Sequence, residues 1–138
     1  MAFFGSAARF APQLHGLLRI IAGLLFLSHG LVKMFGFPPG AMPGYQPLPT
    51  LLGFAGLIEV VAGTLITLGL FTRCAAFVAA CEMAVAYWMF HAPNSLYPVV
   101  NQGEAAILYC FLFLFFAAAG PGAFALDSLR KGSTAPPA

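Results

Sequence analysis

Charged residues are unusually scarce in this sequence. Only 7% of its 138 residues are Asp, Glu, Lys or Arg, whereas charged residues make up about a quarter of a soluble protein. Hydrophobic residues account for 61%, and the mean hydropathy is +0.91. This composition excludes a soluble globular domain and predicts an integral membrane protein. At about 20 apolar residues per span, the length suits one domain of roughly four helices.

Positive charge and cysteine are also scarce, and each scarcity excludes a class of function. The six Lys and Arg residues are scattered and the net charge is +2, so the basic stripe that nucleic-acid binding requires is missing. Cys74, Cys81 and Cys110 form no C-x-x-C pair and do not cluster with histidine at metal-ligand spacing. We interpret them as small packing residues. No haem motif or glycine-rich dinucleotide turn occurs either, so we expect no metal or haem and a borrowed electron carrier.

Four apolar runs are present, and we predict membrane-spanning helices at residues 14–35, 51–71, 74–91 and 102–119. A signal peptide is the competing interpretation of the first run, but no small-x-small cleavage site follows it, so we expect a retained helix. Prolines between the first two runs predict an extended loop. Arg73 marks a tight turn, which makes the second and third helices an antiparallel hairpin. The predicted fold class is therefore all-α, an integral membrane antiparallel four-helix bundle.

The segments outside the runs complete the predicted organisation. Residues 1–13 are an N-terminal segment, residues 14–120 the four-helix domain, and residues 121–138 a polar, mobile C-terminal tail. Most cations fall on the side of the two termini: Arg9, Arg19, Arg73, Arg130 and Lys131. Only Lys33 lies near the other side. The positive-inside rule therefore predicts that both termini are cytoplasmic.

Ionisable residues inside the runs are the strongest functional signal. Glu59 stands in the middle of the second run, and His91 closes the third. The first run contributes Arg19, His29 and Lys33. Glu82 also lies in the third run, and Glu104 stands at the head of the fourth. Because charge at membrane depth is costly, such residues by default face the bundle interior, form pairs and mark a site.

The depths of these residues predict which of them meet. At a rise of about 1.5 Å per residue, Glu59 lies about 12 Å from the outer end of its helix. The residues that can share the outer half of the bundle are His29, Lys33, Glu59, His91 and Glu104. Glu82 is predicted to lie deeper, within reach of Arg19. We therefore predict an inner pair of Arg19 with Glu82, and an outer pair of Lys33 with Glu59 or Glu104.

Each of these residues also has a structural interpretation. Arg19 and Lys33 can be snorkelling anchors at the two ends of a helix. Asn101 and Glu104 have the spacing of a capping box. His91, at a helix end, can cap carbonyl groups or meet lipid headgroups. For the two buried glutamates, the alternative is an ion pair that only fixes helix register.

A site lined by histidine, lysine and carboxylates beside aromatic rings suits a quinone, because it can hydrogen-bond the two carbonyls and relay the accompanying protons. The catalytic candidates are Glu59, His29 and Lys33. The candidates for binding the cofactor are Arg19, Glu82, His91 and Glu104. The same groups can instead bind a small anion or pass protons.

Several short segments together resemble the DoxX family of small four-helix bacterial membrane proteins. They are Leu18-Arg19, Ser28-His29-Gly30, Lys33-Met34-Phe35-Gly36, Gly56-Leu57-Ile58-Glu59, Arg73, Glu82 and Asn101-Gln102-Gly103-Glu104. Their order is the specific feature, and the resemblance extends from about Leu14 to Ala119. It implies a location in the bacterial inner membrane. It also implies family positions for all the candidate residues except His91, which follows from the depth argument alone.

The resemblance implies more about fold than about function. Some members are membrane subunits of quinone-reducing enzymes such as thiosulfate:quinone oxidoreductase, and others associate with superoxide-detoxifying or thiol-oxidising partners. The chain lacks the second polypeptide of the thiosulfate enzyme, so that substrate is not carried over. The leading hypothesis is a quinone-associated oxidoreductase subunit in the lipid bilayer that acts with a partner protein or as a homo-oligomer. The alternatives are a non-catalytic membrane anchor or assembly partner and a small-solute or proton pathway.

Overall fold

A computed structural model describes residues 7–132 as helices joined by short connections. The helices are α1 (Ala11–Phe35), α2 (Leu51–Leu68), α3 (Thr72–Ala86), α4 (Pro98–Asn101), α5 (Glu104–Ala119) and α6 (Leu126–Gly132). A π-helical turn, Tyr87–His91, and a 3₁₀ turn, Ala92–Asn94, extend α3. The described residues contain no strand, so the all-α prediction is confirmed.

Three helices are long and apolar enough to cross a membrane: α1, α2, and α3 with its extension to Asn94. The fourth apolar run forms α5, whose 16 residues span about 24 Å, less than the roughly 30 Å of the hydrocarbon core. The second predicted run ends early, at Leu68, because Gly69 adopts a left-handed conformation with φ of 68°. Arg73 consequently lies in the first turn of α3.

The contact between α1 and α2 depends on glycine. A Cβ atom added at Gly23 would lie 2.5 Å from Thr67 Oγ1, and one added at Gly63 would lie 2.8 Å from the backbone nitrogen of Leu27. These distances leave no room for a side chain. Gly23 and Gly30 are seven residues apart and therefore return to the same face of α1. Small residues at these positions allow the two membrane helices to approach closely.

A second tight contact joins α3 to α5. Four alanines on one face of α3 are buried: Ala75, Ala76, Ala79 and Ala80. They pack in one core with Phe113 and Phe116 of α5, and with Phe26 of α1. The bundle therefore contains two closely packed helix pairs, α1 with α2 and α3 with α5.

One end of the bundle, here called the capped end, is held by charged side chains that bind helix termini. The guanidinium group of Arg19 is fully buried and donates all five of its N–H bonds to backbone carbonyls. These carbonyls belong to Ile66 and Thr67 in the last turn of α2, and to Pro121, Ala123 and Phe124 after α5, at 2.6 to 3.1 Å. A cation suits this position because the last carbonyls of a helix lack partners within the helix.

Arg73 and Asp127 extend the same arrangement. Arg73 Nη1 donates to the carbonyl of Ala117 at 2.9 Å and to the next carbonyl, at the C-terminal end of α5. Asp127 of α6 accepts from the backbone N–H of Phe71 at 2.9 Å and of Thr72 at 3.0 Å, and so caps the start of α3. Burial alone would raise the pKa of Asp127, but the hydrogen bonds from these groups hold the pKa below its usual value.

The segment 121–132, part of the predicted tail, contacts the rest of the bundle. It supplies three of the carbonyls that bind Arg19, and its helix α6 supplies Asp127 to α3. Ala125 is buried between these contacts, at 7% exposure. The remainder of the predicted tail, residues 133–138, lies outside the described residues, as do residues 1–6 of the predicted N-terminal segment.

Candidate functional site

A cavity of about 750 Å³ lies between the helices at the other end of the bundle, here called the cavity end. Its walls are largely apolar. Five ionisable side chains from three helices and the π-helical turn line it: His29, Lys33, Glu59, Glu82 and His91. An apolar cavity of about 300–1,000 Å³ with a few convergent polar groups is typical of a small-molecule site. The structure therefore brings together five of the seven predicted site residues.

Lys33 and Glu59 form an ion pair across the contact between α1 and α2. Their side chains are 13% and 2% exposed. The backbones come close enough for this pair because Gly56, one turn from Glu59, faces Lys33, whose Cβ would lie 2.7 Å from a Cβ at that glycine. The predicted outer pair is thus confirmed, with Glu59 rather than Glu104 as the partner.

Glu82 lines the same cavity without a partner. Both of its carboxyl oxygens are buried and make no hydrogen bond to any described residue. One oxygen of Glu59 is likewise unpartnered. Leaving a buried acceptor unsatisfied costs about 1–3 kcal/mol, so few native structures keep such groups without a reason. The cavity therefore contains acceptors that a ligand with hydroxyl or N–H groups can satisfy.

The predicted inner pair of Arg19 with Glu82 is wrong. Arg19 uses every donor on backbone carbonyls at the capped end, whereas Glu82 lies in the cavity beside Lys33 and Glu59. Two features explain the error. The end of α2 and the segment after α5 together offer Arg19 five carbonyl acceptors. In addition, α3 begins at Thr72, which puts Glu82 further from the capped end than the predicted span did. Arg19 is therefore not positioned to contact a ligand in the cavity.

Glu104 also lies outside the cavity. It is exposed in the first turn of α5, where a negative charge stabilises the helix N-terminus. The capping box of the alternative interpretation does not form, because Gly103 is the residue that precedes the helix. Asn101 instead accepts from the N–H of Gly103 at 2.7 Å through its side-chain oxygen.

The two histidines of the cavity have different neighbours. His29 meets the ring of Tyr109 edge-on, with 6.4 Å between centroids. His91 stacks on Tyr87 at 6.3 Å, and its Nδ1 lies 3.0 Å from the carbonyl oxygen of Asn101, to which it donates. The predicted capping of a carbonyl by His91 is therefore present, and the residue lines the cavity as well.

Sequence reasoning missed two residues that line the cavity, Tyr109 and Cys81. Tyr109 is the only residue with a hydroxyl group among the apolar side chains of α5, and that was a usable signal. Cys81 directly precedes Glu82 and is exposed, which the interpretation of all cysteines as packing residues did not anticipate.

The donors and acceptors of the cavity suit an organic ligand with carbonyl or hydroxyl oxygens. They comprise one ammonium group, two imidazoles, two carboxyl groups, the phenol of Tyr109, the amide of Gln102 and the thiol of Cys81. Within residues 7–132, no three His, Cys, Asp or Glu side chains are arranged to hold a metal ion.

Comparisons with known proteins add a family and two relatives. Residues 15–92 match the family model named DoxX. An uncharacterised protein of Haemophilus influenzae is 42% identical over 125 residues, which cover 87% of this chain and 92% of the relative. An uncharacterised membrane protein of Mycobacterium tuberculosis is 31% identical over 160 aligned positions, which cover 98% of each chain. No solved structure was found to match. The family match includes all five ionisable residues of the cavity.

Proposed function

This chain belongs to the DoxX family of membrane proteins, and from that premise we propose that it binds a quinone and acts as the membrane subunit of a redox or oxidative-stress complex. The observation that carries the proposal is the cavity, where polar groups meet beneath apolar walls. A quinone presents the matching surface, an apolar ring with a carbonyl oxygen at each side. As proposed, a partner protein delivers the electrons and the bilayer holds the quinone.

Each ionisable residue of the cavity has a part in this proposal. Lys33 and His29 donate hydrogen bonds to carbonyl oxygens, because an ammonium group has only donors and an imidazole has one or two. Glu59 and Glu82 accept from hydroxyl groups of the reduced ligand and exchange protons with them. The bound group itself supplies the two-electron, two-proton couple between quinone and hydroquinone. His91 lies near the loops, where protons can reach the cavity.

The distribution of cations supports an orientation for the proposed subunit. Five of the six Lys and Arg residues belong to the capped end or its flanking segments, and only Lys33 belongs to the cavity end. The positive-inside rule then puts the capped end and both termini in the cytoplasm of a bacterial inner membrane, with the cavity end outward. A C-terminal reporter enzyme that is active only outside the cytoplasm should be inactive in cells. An active fusion would contradict this orientation.

Ligand binding tests the proposal directly, because Trp88 is the only tryptophan of the chain and lies between Tyr87 and His91 in sequence, at the cavity end. We expect decyl-benzoquinone to quench its fluorescence saturably in mild detergent. Glu82→Gln should weaken binding of the reduced form, decyl-hydroquinone, by about tenfold, equivalent to ~1.4 kcal/mol, because only the reduced form has hydroxyl groups for Glu82. Glu104→Gln is the matched control, since it makes the same change outside the cavity, and should leave the affinity unchanged. Non-saturable quenching of the wild-type protein would overturn the proposal.

A purely structural role has one observation in its favour, the ion pair that links α1 to α2 through Lys33 and Glu59. The two roles differ in what the double variant Lys33→Met/Glu59→Gln does, because it removes both charges of the pair. A quinone site predicts that the variant remains folded and loses binding. A structural lock predicts a destabilised bundle with normal binding in the fraction that folds.

A further inference from the structure

One side of the cavity lies between α2 and α3. α1 contacts α2 closely through glycines, and α3 contacts α5 through buried alanines. α2 and α3 are joined by a short turn at the capped end. At the cavity end, however, their facing sides line the cavity instead of burying each other. We call this side of the cavity, between α2 and α3, the seam.

The side chains on this seam are apolar and exposed. Phe54 of α2 is 49% exposed, and Phe77 and Val78 of α3 are 55% and 48% exposed, although all three line the cavity. A large side chain that lines a cavity and is also half exposed stands at its rim. In a bilayer, this rim meets acyl chains, because it lies along the spans and not in the loops.

The loops over the cavity end are equally unsuited to a charged aqueous entrance. Residues 36–50 and 87–103 contain no Asp, Glu, Lys or Arg. Their exposed side chains include Met42 at 85%, Leu96 at 82% and Tyr97 at 66%. Uncharged loops with exposed apolar and aromatic side chains are typical of segments that lie at the membrane interface.

From these observations we infer that the ligand is an amphiphile of the bilayer, whose polar head meets Lys33, Glu59 and Glu82 and whose apolar chain leaves the bundle between α2 and α3. The inference rests on the proposed function and adds the chemical class of the ligand and its route. A chain in the seam covers Phe54, Phe77 and Val78, while the hydroxyl groups of the reduced head donate to the unpartnered carboxyl oxygens. The ligand then enters laterally from the lipid.

The test compares two benzoquinones with the same ring, one with a decyl chain and one with a methyl group, in phosphatidylcholine nanodiscs. Affinity is expressed per mole fraction in the bilayer, so that partitioning does not contribute. Val78→Phe narrows the rim. Val61→Phe is the matched control, because Val61 of α2 is 52% exposed and does not line the cavity. Helical circular dichroism and thermal unfolding check that both variants fold.

We expect the wild-type protein to bind the decyl compound at least about tenfold more tightly than the methyl compound. Val78→Phe should remove that advantage and leave binding of the methyl compound within about twofold, and Val61→Phe should change neither. Equal affinity of the wild-type protein for both compounds, or an equal effect of Val78→Phe on both, would overturn the lateral route while quinone binding stands. Binding of neither compound would overturn the proposed function, and this inference with it. The comparison in the wild-type protein does not depend on the folding of any variant.

Discussion

The two ends of the bundle use the same kinds of charged residue in opposite ways. At the capped end, Arg19 and Asp127 bind backbone groups at helix termini, which always present unpaired carbonyls or N–H groups. At the cavity end, Glu59 and Glu82 retain buried oxygens without a partner among the described residues. Charge in an apolar helix is therefore not a functional signal by itself. The identity of its partner separates a structural charge from a candidate site.

The capped end should lose the most stability when its central charge is removed. Arg19→Ala leaves five carbonyls without their charged donor, and we expect a loss of roughly 4 kcal/mol in the free energy of unfolding. Unfolding in mixed micelles measures this value. Arg9→Ala is the control, because Arg9 is exposed, and should change stability by less than about 0.5 kcal/mol. Arg19→Lys should recover only part of the loss, since lysine has three donors and no planar fork.

A small effect of Arg19→Ala on stability would break the comparison between the ends. In that case the five hydrogen bonds would contribute little to folding, and stability would not explain the buried charge of Arg19. A role in ligand binding would then have to be tested. Ligand binding by Arg19→Lys separates the possibilities, because the affinity of its folded fraction should equal that of the wild-type protein.

The ion pair at the cavity end should be costly to break but dispensable for folding. Lys33→Met or Glu59→Gln alone should lower the free energy of unfolding by roughly 3 kcal/mol. Lys33→Met leaves the charge of Glu59 buried without a counter-charge, and Glu59→Gln does the same to Lys33. The double variant should recover to within about 1 kcal/mol of the wild-type protein, since replacing both charges of a buried pair is often nearly neutral. Equilibrium unfolding of all three variants gives the coupling free energy.

The same double variant should fail to bind the quinone. If the double variant unfolded as readily as Arg19→Ala, the ion pair would serve mainly to stabilise the fold. The charges at the two ends would then have the same role. A folded double variant with undiminished binding would remove the pair from the proposed site.

A substitution in the glycine contact between α1 and α2 tests the helix packing on which both ends depend. A Cβ at Gly63 meets the backbone of Leu27, which cannot turn aside. Gly63→Ala should therefore cost about 1–3 kcal/mol. Thr64→Ala, one residue along on the exposed face, is the control and should stay within about 0.5 kcal/mol. If Gly63→Ala left the free energy of unfolding unchanged, the helices could move apart without loss of stability, which would contradict this prediction.

The smallest of these effects on stability is expected at Asp127, where Asp127→Asn weakens the cap of α3 and should cost about 1 kcal/mol at neutral pH. The pKa of Asp127 is lowered in the folded protein, so its stabilisation is present above the unfolded value of about 3.9. It is lost as the pH falls through the lower folded pKa. Unfolding between about pH 7 and pH 3 should show this loss in the wild-type protein and not in Asp127→Asn. Parallel pH profiles would contradict the assignment.

The hydrophobicity of the sequence and the estimated depth of its charged residues predicted those parts of the fold that the bilayer dictates. The four apolar helices and the pair of Lys33 with Glu59 were predicted, because spans need about 20 apolar residues and buried charges seek counter-charges. The partners of Arg19 were not predicted, because backbone carbonyls at helix ends have no signature in the side-chain sequence. For the same reason the short helix with Asp127 was not predicted.

The candidate site was predicted in its membership more than in its geometry. Five predicted residues meet in the cavity, whereas Arg19 and Glu104 do not. The depth of Glu82 was misjudged because α3 begins at Thr72, two residues before the predicted start at residue 74. The orientation in the membrane and the quinone itself stay predictions, because they depend on the cell and on a ligand.

The central claim is that the cavity end binds a quinone, and photolabelling with an azido-benzoquinone tests it most directly. After illumination in membranes, peptide mass spectrometry should find adducts on the segments that line the cavity, residues 51–59, 77–86 and 105–109. Excess decyl-benzoquinone should prevent the adducts, and the double variant Lys33→Met/Glu59→Gln should reduce them. Adducts spread over the lipid-facing side of α5, such as Phe111 and Phe115, with no protection by the competitor, would contradict the account.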